Sequence, residues 1–246
     1  MDQDLSRPPT TPDTPDTPDT PTSPTTAALV RRFTASTRAL HWSIAAPVLL
    51  LLLTGFTNFY PELKALRAGD VRLFAWLHVV LGFATLAAVP AVYLPLLLRR
   101  ALRDDLRELV DVRARDYLWL QHIALLATGA RSQSPHVGKF NAGQKLNALA
   151  TVLVLAVLLA TGAVLGVNYF SKRIFDVGFV ETLFTWHTAV SLLAVPLVLG
   201  HLYLALLHPS PRESLRGVTR GAVRRDWAER HHDAWTPPAD DSQTPR

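Results

Sequence analysis

No cysteine occurs anywhere in the 246 residues, which removes disulfides, thiolate-held iron–sulfur clusters and covalent CxxCH attachment of haem. Any cofactor is therefore held noncovalently. Charge is also scarce: Asp, Glu, Lys and Arg make up 18% of the chain against 49% hydrophobic residues. With a mean hydropathy of +0.17, that balance lies outside the soluble range and points to a membrane protein. The first residues, MDQDLSRPPTTPDTPDTPDTPTSPTT, carry tandem TPD units and lack an apolar core. They form neither a signal peptide nor a transit peptide and are expected to be disordered.

What the sequence does have is four long apolar stretches, about Ala39 to Phe59, Leu73 to Leu98, Leu146 to Val167 and Leu183 to Leu207. Each is long enough to cross roughly 30 Å of hydrocarbon as a helix. The expected fold is all-α, a bundle of four transmembrane helices spanning residues 29–235. A Thr/Pro/Asp-rich tail (1–28) precedes it and a disordered tail (236–246) follows. The pI near 9.9 is not a nucleic-acid signature, because the basic residues are sorted by side. From Arg31 to Arg230, eighteen lie before the first stretch, between the second and third, or after the fourth; only Lys64, Arg67, Arg72, Lys172 and Arg173 lie on the other side. The positive-inside rule then predicts a multi-pass protein of the bacterial cytoplasmic membrane with both termini in the cytoplasm.

Ionisable residues inside hydrocarbon are costly and are candidates for function. His187 and His201 stand fourteen residues apart in one apolar run, about 21 Å along a helix and on nearly the same face. His41 lies near the start of the first stretch and His78 near the start of the second. Alternating helix direction pairs them by depth: His41 with His201, and His78 with His187. The third stretch has no histidine and reads as a helix that closes the bundle. With neither cysteine nor acid inside the stretches, a metal held by two histidines needs equatorial ligands from elsewhere, and a porphyrin supplies them. The pattern predicts two b-type haems. Gly55 and Gly162, each following a threonine, together with Gly82 and Gly200, are expected to let a flat macrocycle approach the backbone. A haem-free structural anchor gives no reason for histidines at matched depths, and a proton-coupled transporter predicts acids within the stretches.

Several segments together resemble a known family: RALHW, WLHVVLG, VGKFNAGQKLN, HTAVSLL, GHLYLALLHP and GAVRRDWAERHHDAW. Over residues 32–235 the chain is similar to the cytochrome b (gamma) subunit of membrane-bound respiratory formate dehydrogenases. The wider group includes cytochrome b subunits of nickel–iron hydrogenases and of thiosulfate or polysulfide reductases. The resemblance implies that His41 and His201 ligate an inner haem, and His78 and His187 an outer one. It implies electron transfer from an iron–sulfur beta subunit, fed by a molybdenum- or tungsten-pterin alpha subunit, through this chain to menaquinone or ubiquinone. No formate-oxidising site is expected here. It further implies a quinone site at Asn141, Ala142, Gly143 and Gln144; read alone, those residues are a turn and helix cap.

The segment from Asp116 to His136 departs from the family pattern. His122 and His136 are expected in an exposed loop, and His208 before Pro209 at the end of the fourth helix. His231 and His232 are expected either to contact a partner or to sit on a solvated segment.

Overall fold

The computed structural model describes residues 28–130, 132–171, 174–207 and 212–237. Of the expected tails 1–28 and 236–246, residues 1–27 and 238–246 lie outside the described residues, as do His208 and Pro209. β1 (Leu29–Arg31) leads to α1 (Ala35–Phe56), which is capped by the Thr34 hydroxyl accepting from the Thr37 amide at 3.3 Å. A 3₁₀ turn carries this first span to Phe59. α2 (Pro61–Ala65) and the short ribbon of β2 (Arg67–Ala68) with β3 (Val71–Arg72) turn the chain into α3 (Leu73–Ala88). A π turn, Val89–Tyr93, and α4 (Leu94–Leu97) extend this second span. α5 (Arg100–Val110) and α6 (Ala114–Ala127) follow, then the third span, α7 (Ala142–Phe170). α8 (Val177–Leu202) and a second π turn, Tyr203–Leu207, form the fourth. α9 (Arg212–Arg220), β4 (Ala222–Arg224) and α10 (Arg225–His231) complete the described chain.

The four spans are 25 to 31 residues long, more than the ~20 that a bilayer core requires. At most 6% of each apolar window is buried within the protein. Leucines such as Leu53, Leu153 and Leu193 project outward, as expected for helices solvated by lipid. The third helix begins earlier than its apolar stretch, so Asn141–Gln144 is its cap and first turn rather than a loop before it. The fourth begins at Val177 and takes in Glu181, an acid that the sequence boundaries left outside.

The expectation of an all-helical chain holds for the membrane part but misses the ribbon that ties its ends together. β1 pairs antiparallel with β4, Val30 opposite Val223, so the segments before the first span and after the fourth meet at one end of the bundle, here the ribbon end. Val30, Val223, Trp227 and Ala228 form a small core there, with Trp235 against it. Gly221 makes the turn into β4 at φ +89°, where a side chain would strike Arg38. The third helix is moored at this end by Lys145, whose ammonium donates to Asp116 Oδ2 at 2.9 Å and to the Asp111 carbonyl at 2.6 Å.

Two histidines, His122 and His232, are placed differently from expectation. His122 lies on α6, not in a loop, with a buried Nδ1 that has no hydrogen-bond partner. His232 is 3% exposed, because it turns inward and its Nδ1–H donates to the Gly138 carbonyl at 2.6 Å. His136 is exposed as expected, but pairs with Asp233 at 2.5 Å. These contacts fold the α6–α7 connection onto the ribbon rather than leaving it free in solvent.

Candidate functional site

The third and fourth spans pack along one another, as do the first with the second and the second with the third, whereas the fourth packs closely along neither the first nor the second. Across that separation the histidines face each other. His41 and His201 have ring centres 6.3 Å apart with planes at 44°, toward the ribbon end. His78 and His187 are 6.2 Å apart with planes at 89°, toward the far end. These are the pairs that depth alone predicted.

The two spacings suit a metal bound between each pair. An imidazole nitrogen binds a transition metal at about 2.0 Å, and adding about 1 Å from nitrogen to ring centre on each side gives roughly 6 Å for two rings in line. Among the described residues, no cluster of three or more His, Cys, Asp or Glu could hold a metal by itself. Paired imidazoles separated by this distance fit a metal whose remaining ligands come from a macrocycle. The residues present therefore fit haem.

The far pair is seated on two threonine–glycine steps. Thr54 Oγ1 lies 3.0 Å from His78 Nδ1, and Thr161 Oγ1 lies 2.9 Å from His187 Nδ1. A Cβ at Gly55 would come 3.2 Å from His78 Cε1, and one at Gly162 equally close to His187 Cε1. These glycines thus make room for histidine rings. Gly82 and Gly200 instead have nothing within 4 Å of a would-be Cβ, which suits the expected approach of a macrocycle. The third span carries no histidine but supplies Thr161. Sequence reading passed over both threonines, though the repeated Thr-Gly step was their signal. At the ribbon end, Trp42 sets its ring edge to His41, centres 5.1 Å apart, while its Nε1 donates to the Val218 carbonyl at 3.2 Å.

Asn141 caps the third helix: its Oδ1 accepts from the Gln144 amide at 2.8 Å, and the Asn141 amide donates to Gln144 Oε1 at 3.0 Å. Both carboxamide oxygens are thereby used, and no hydrogen bond among the described residues uses either side-chain NH2. Ala142 is buried, and Gly143 lies against the Trp119 ring, which a Cβ would meet at 3.1 Å. Beside this turn, Arg32 is 2% exposed and donates to the Lys139 carbonyl at 2.7 Å, with the rings of Trp227 and Trp235 facing its guanidinium. Burial pushes its pKa down to about 10, partly opposed by Asp105.

A bundle of four apolar helices that sets two imidazole pairs face to face at two depths is built as a membrane cytochrome. Residues 32–221 match the family described as prokaryotic cytochrome b561, and the chain belongs to that family. It is thus a haem-binding membrane subunit that works in electron transfer. Among curated relatives, it is 28% identical over 200 residues to the cytochrome b556(Fdn) subunit of the nitrate-inducible formate dehydrogenase of Escherichia coli K12. That alignment covers 80% of this chain and 86% of the relative. It is 25% identical over 212 residues to the formate dehydrogenase cytochrome b556 subunit of Haemophilus influenzae, covering 83% and 81%. To the cytochrome b556(fdo) subunit of E. coli K12 it is 22% identical over 206 residues, covering 83% and 90%.

Proposed function

We propose that the chain is the cytochrome b subunit of a formate dehydrogenase complex, with His41 and His201 holding one b haem and His78 and His187 a second. The facing imidazole pairs at two depths carry this reading; the names of the relatives supply formate as the source of electrons. The hydrogenase and thiosulfate reductase alternatives share the four histidines but are not favoured by those names. Bound between these pairs, two haems would supply a one-electron path across the bilayer.

The protein's own part is positional. The first, second and fourth spans fix histidines at set depths, two imidazoles on each iron would leave no open coordination position, and the apolar helices exclude water from the path. The ribbon end, rich in arginine, is the cytoplasmic side of the inner membrane. An iron–sulfur subunit, served by a molybdenum- or tungsten-pterin subunit, delivers electrons at the far end. Menaquinone or ubiquinone accepts them near the ribbon end, where the amide NH2 groups of Asn141 and Gln144 donate hydrogen bonds to a quinone carbonyl and the Ala142–Gly143 backbone gives close access.

The test is to purify the chain with its partners and measure haem content and reduction together. The expected result is two b haems per chain by pyridine haemochrome, both reduced by formate. One haem per fully loaded chain overturns the paired-site reading; two haems that hydrogen reduces, or that a sulfur oxyanion reoxidises, and that formate does not reduce, overturn the choice of partner.

A further inference from the structure

Each threonine hydroxyl facing the far pair has one proton, and the helix already uses it. Thr54 Oγ1 lies 2.8 Å from the Leu50 carbonyl, and Thr161 Oγ1 lies 2.7 Å from the Val157 carbonyl, each four residues back. A carbonyl only accepts, so the hydroxyl proton points at it. What the oxygen offers the neighbouring ring, 3.0 Å from His78 Nδ1 and 2.9 Å from His187 Nδ1, is a lone pair. Nδ1 must then be the protonated nitrogen of each imidazole, and Nε2 the nitrogen left free to bind a metal. The adjoining glycines complete the seat, since a side chain at Gly55 or Gly162 would crowd Cε1, the carbon between the two nitrogens.

The other pair has no such partner. His41 Nδ1 is buried without a hydrogen bond, and no hydrogen bond joins the His201 ring to another described residue. The difference between the pairs is electronic as well as steric. A ring that donates from Nδ1–H to an oxygen is a more basic ligand at Nε2. It favours the ferric over the ferrous ion.

We infer that Thr54 and Thr161 are positioning residues that fix His78 and His187 as Nδ1–H tautomers, and that they set the haem at the far end to a lower reduction potential than the one held by His41 and His201. The inference rests on the assignment of these four histidines as haem ligands. Its consequence is direction: electrons that enter at the far end and leave at the ribbon end run downhill.

The experiment is a redox titration of both haems in the membrane-bound complex, comparing wild type with Thr54→Val, Thr161→Val and Thr161→Ser. Valine keeps the shape and removes the acceptor; serine keeps the acceptor. Each valine variant is expected to retain two haems and to raise the ferrous-to-ferric ratio of the far haem several-fold at a fixed ambient potential, tenfold being 59 mV for one electron. The other haem is expected to stay put, and Thr161→Ser to titrate like wild type. A far haem unmoved in both valine variants overturns the inference, as does an equal shift of both haems. If Thr161→Val sheds its haem, Thr161→Ser decides: a haem at the wild-type potential supports the assignment, a displaced one overturns it. Fewer than two haems in the wild type would instead count against the ligand assignment itself.

Discussion

The hydroxyl of Tyr93, in the π turn of the second span, donates to the backbone carbonyl of Ser43 in the first at 3.0 Å. Pro47 lies four residues beyond Ser43 within the same helix and has no N–H to give that carbonyl. In a lipid-facing helix an unpaired carbonyl is costly, and a side chain from the next helix satisfies it. Tyr93→Phe should therefore loosen the first span against the second by about 1 kcal/mol. Thermal unfolding in detergent should show a lower midpoint with unchanged haem content. An unaltered midpoint would mean that water or another donor serves Ser43 equally well.

The histidine pairs should be separable, since each couples two different helices. His187→Ala should remove the far haem and stop reduction of the remaining one by the electron-donating partner. His41→Ala should remove the ribbon-end haem and leave the far one reducible, with quinone reduction lost. Low-temperature difference spectra would read both variants, and two intact spectra in either would show the pairing to be wrong.

Topology follows from the bias of eighteen basic residues to five between Arg31 and Arg230. A reporter active only outside the cytoplasm should be silent when fused after Arg246 and active when inserted near Asp176, in the turn before the fourth helix. Activity at Arg246 would invert the order of the two haems along the path.

The ribbon end should weaken in mild acid through His232. Burial, with the nearby charge of Arg32, pushes its pKa down to about 3 from the usual 6.5. An unfolded chain takes up this proton near pH 6.5, but the folded one resists to about pH 3, so the unfolded state binds more protons in between. The neutral ring's contribution is therefore complete above about 6.5 and lost as pH falls toward 3, by at most about 1.4 kcal/mol per pH unit. Hydrogen exchange across residues 222–235 should rise through that range, and His232→Asn, which keeps a donor for Gly138, should flatten the dependence. An identical acid profile in that variant would assign the effect to another group.

Quinone reduction should respond to Asn141 without any change in haem. Replacing it with alanine removes the NH2 donor and the cap that fixes Gln144, at a cost of about 0.5–1.5 kcal/mol for each hydrogen bond lost. A several-fold rise in apparent KM for quinone is expected, with reduction of the haems by the dehydrogenase partner unchanged. Because the cap is also structural, Asn141→Asp is the sharper variant: it preserves the acceptor oxygen for Gln144 and removes the donor. Wild-type quinone kinetics in that variant would leave Asn141 as a helix cap alone.

Hydropathy determined the four spans, because bilayer thickness sets a length that apolar runs either meet or miss. The histidine pairs were legible too: antiparallel helices assign a depth to every residue, and His41, His78, His187 and His201 are isolated polar residues in apolar surroundings. Rotation about each helix axis was not legible. Spans apolar on every side have no moment to say which face turns inward, so that Thr54 meets His78 and Thr161 meets His187 became visible only once the helices were packed. Nor could the sequence pair β1 with β4 across almost the whole chain, since strands of three residues carry no signal for a partner that distant. The burial of His232 against Gly138 follows from the same long-range closure, whereas the Lys145–Asp116 bond comes from the packing of α6 on α7. Local composition placed the four histidines in depth, and only the tertiary structure decided what stands behind each one.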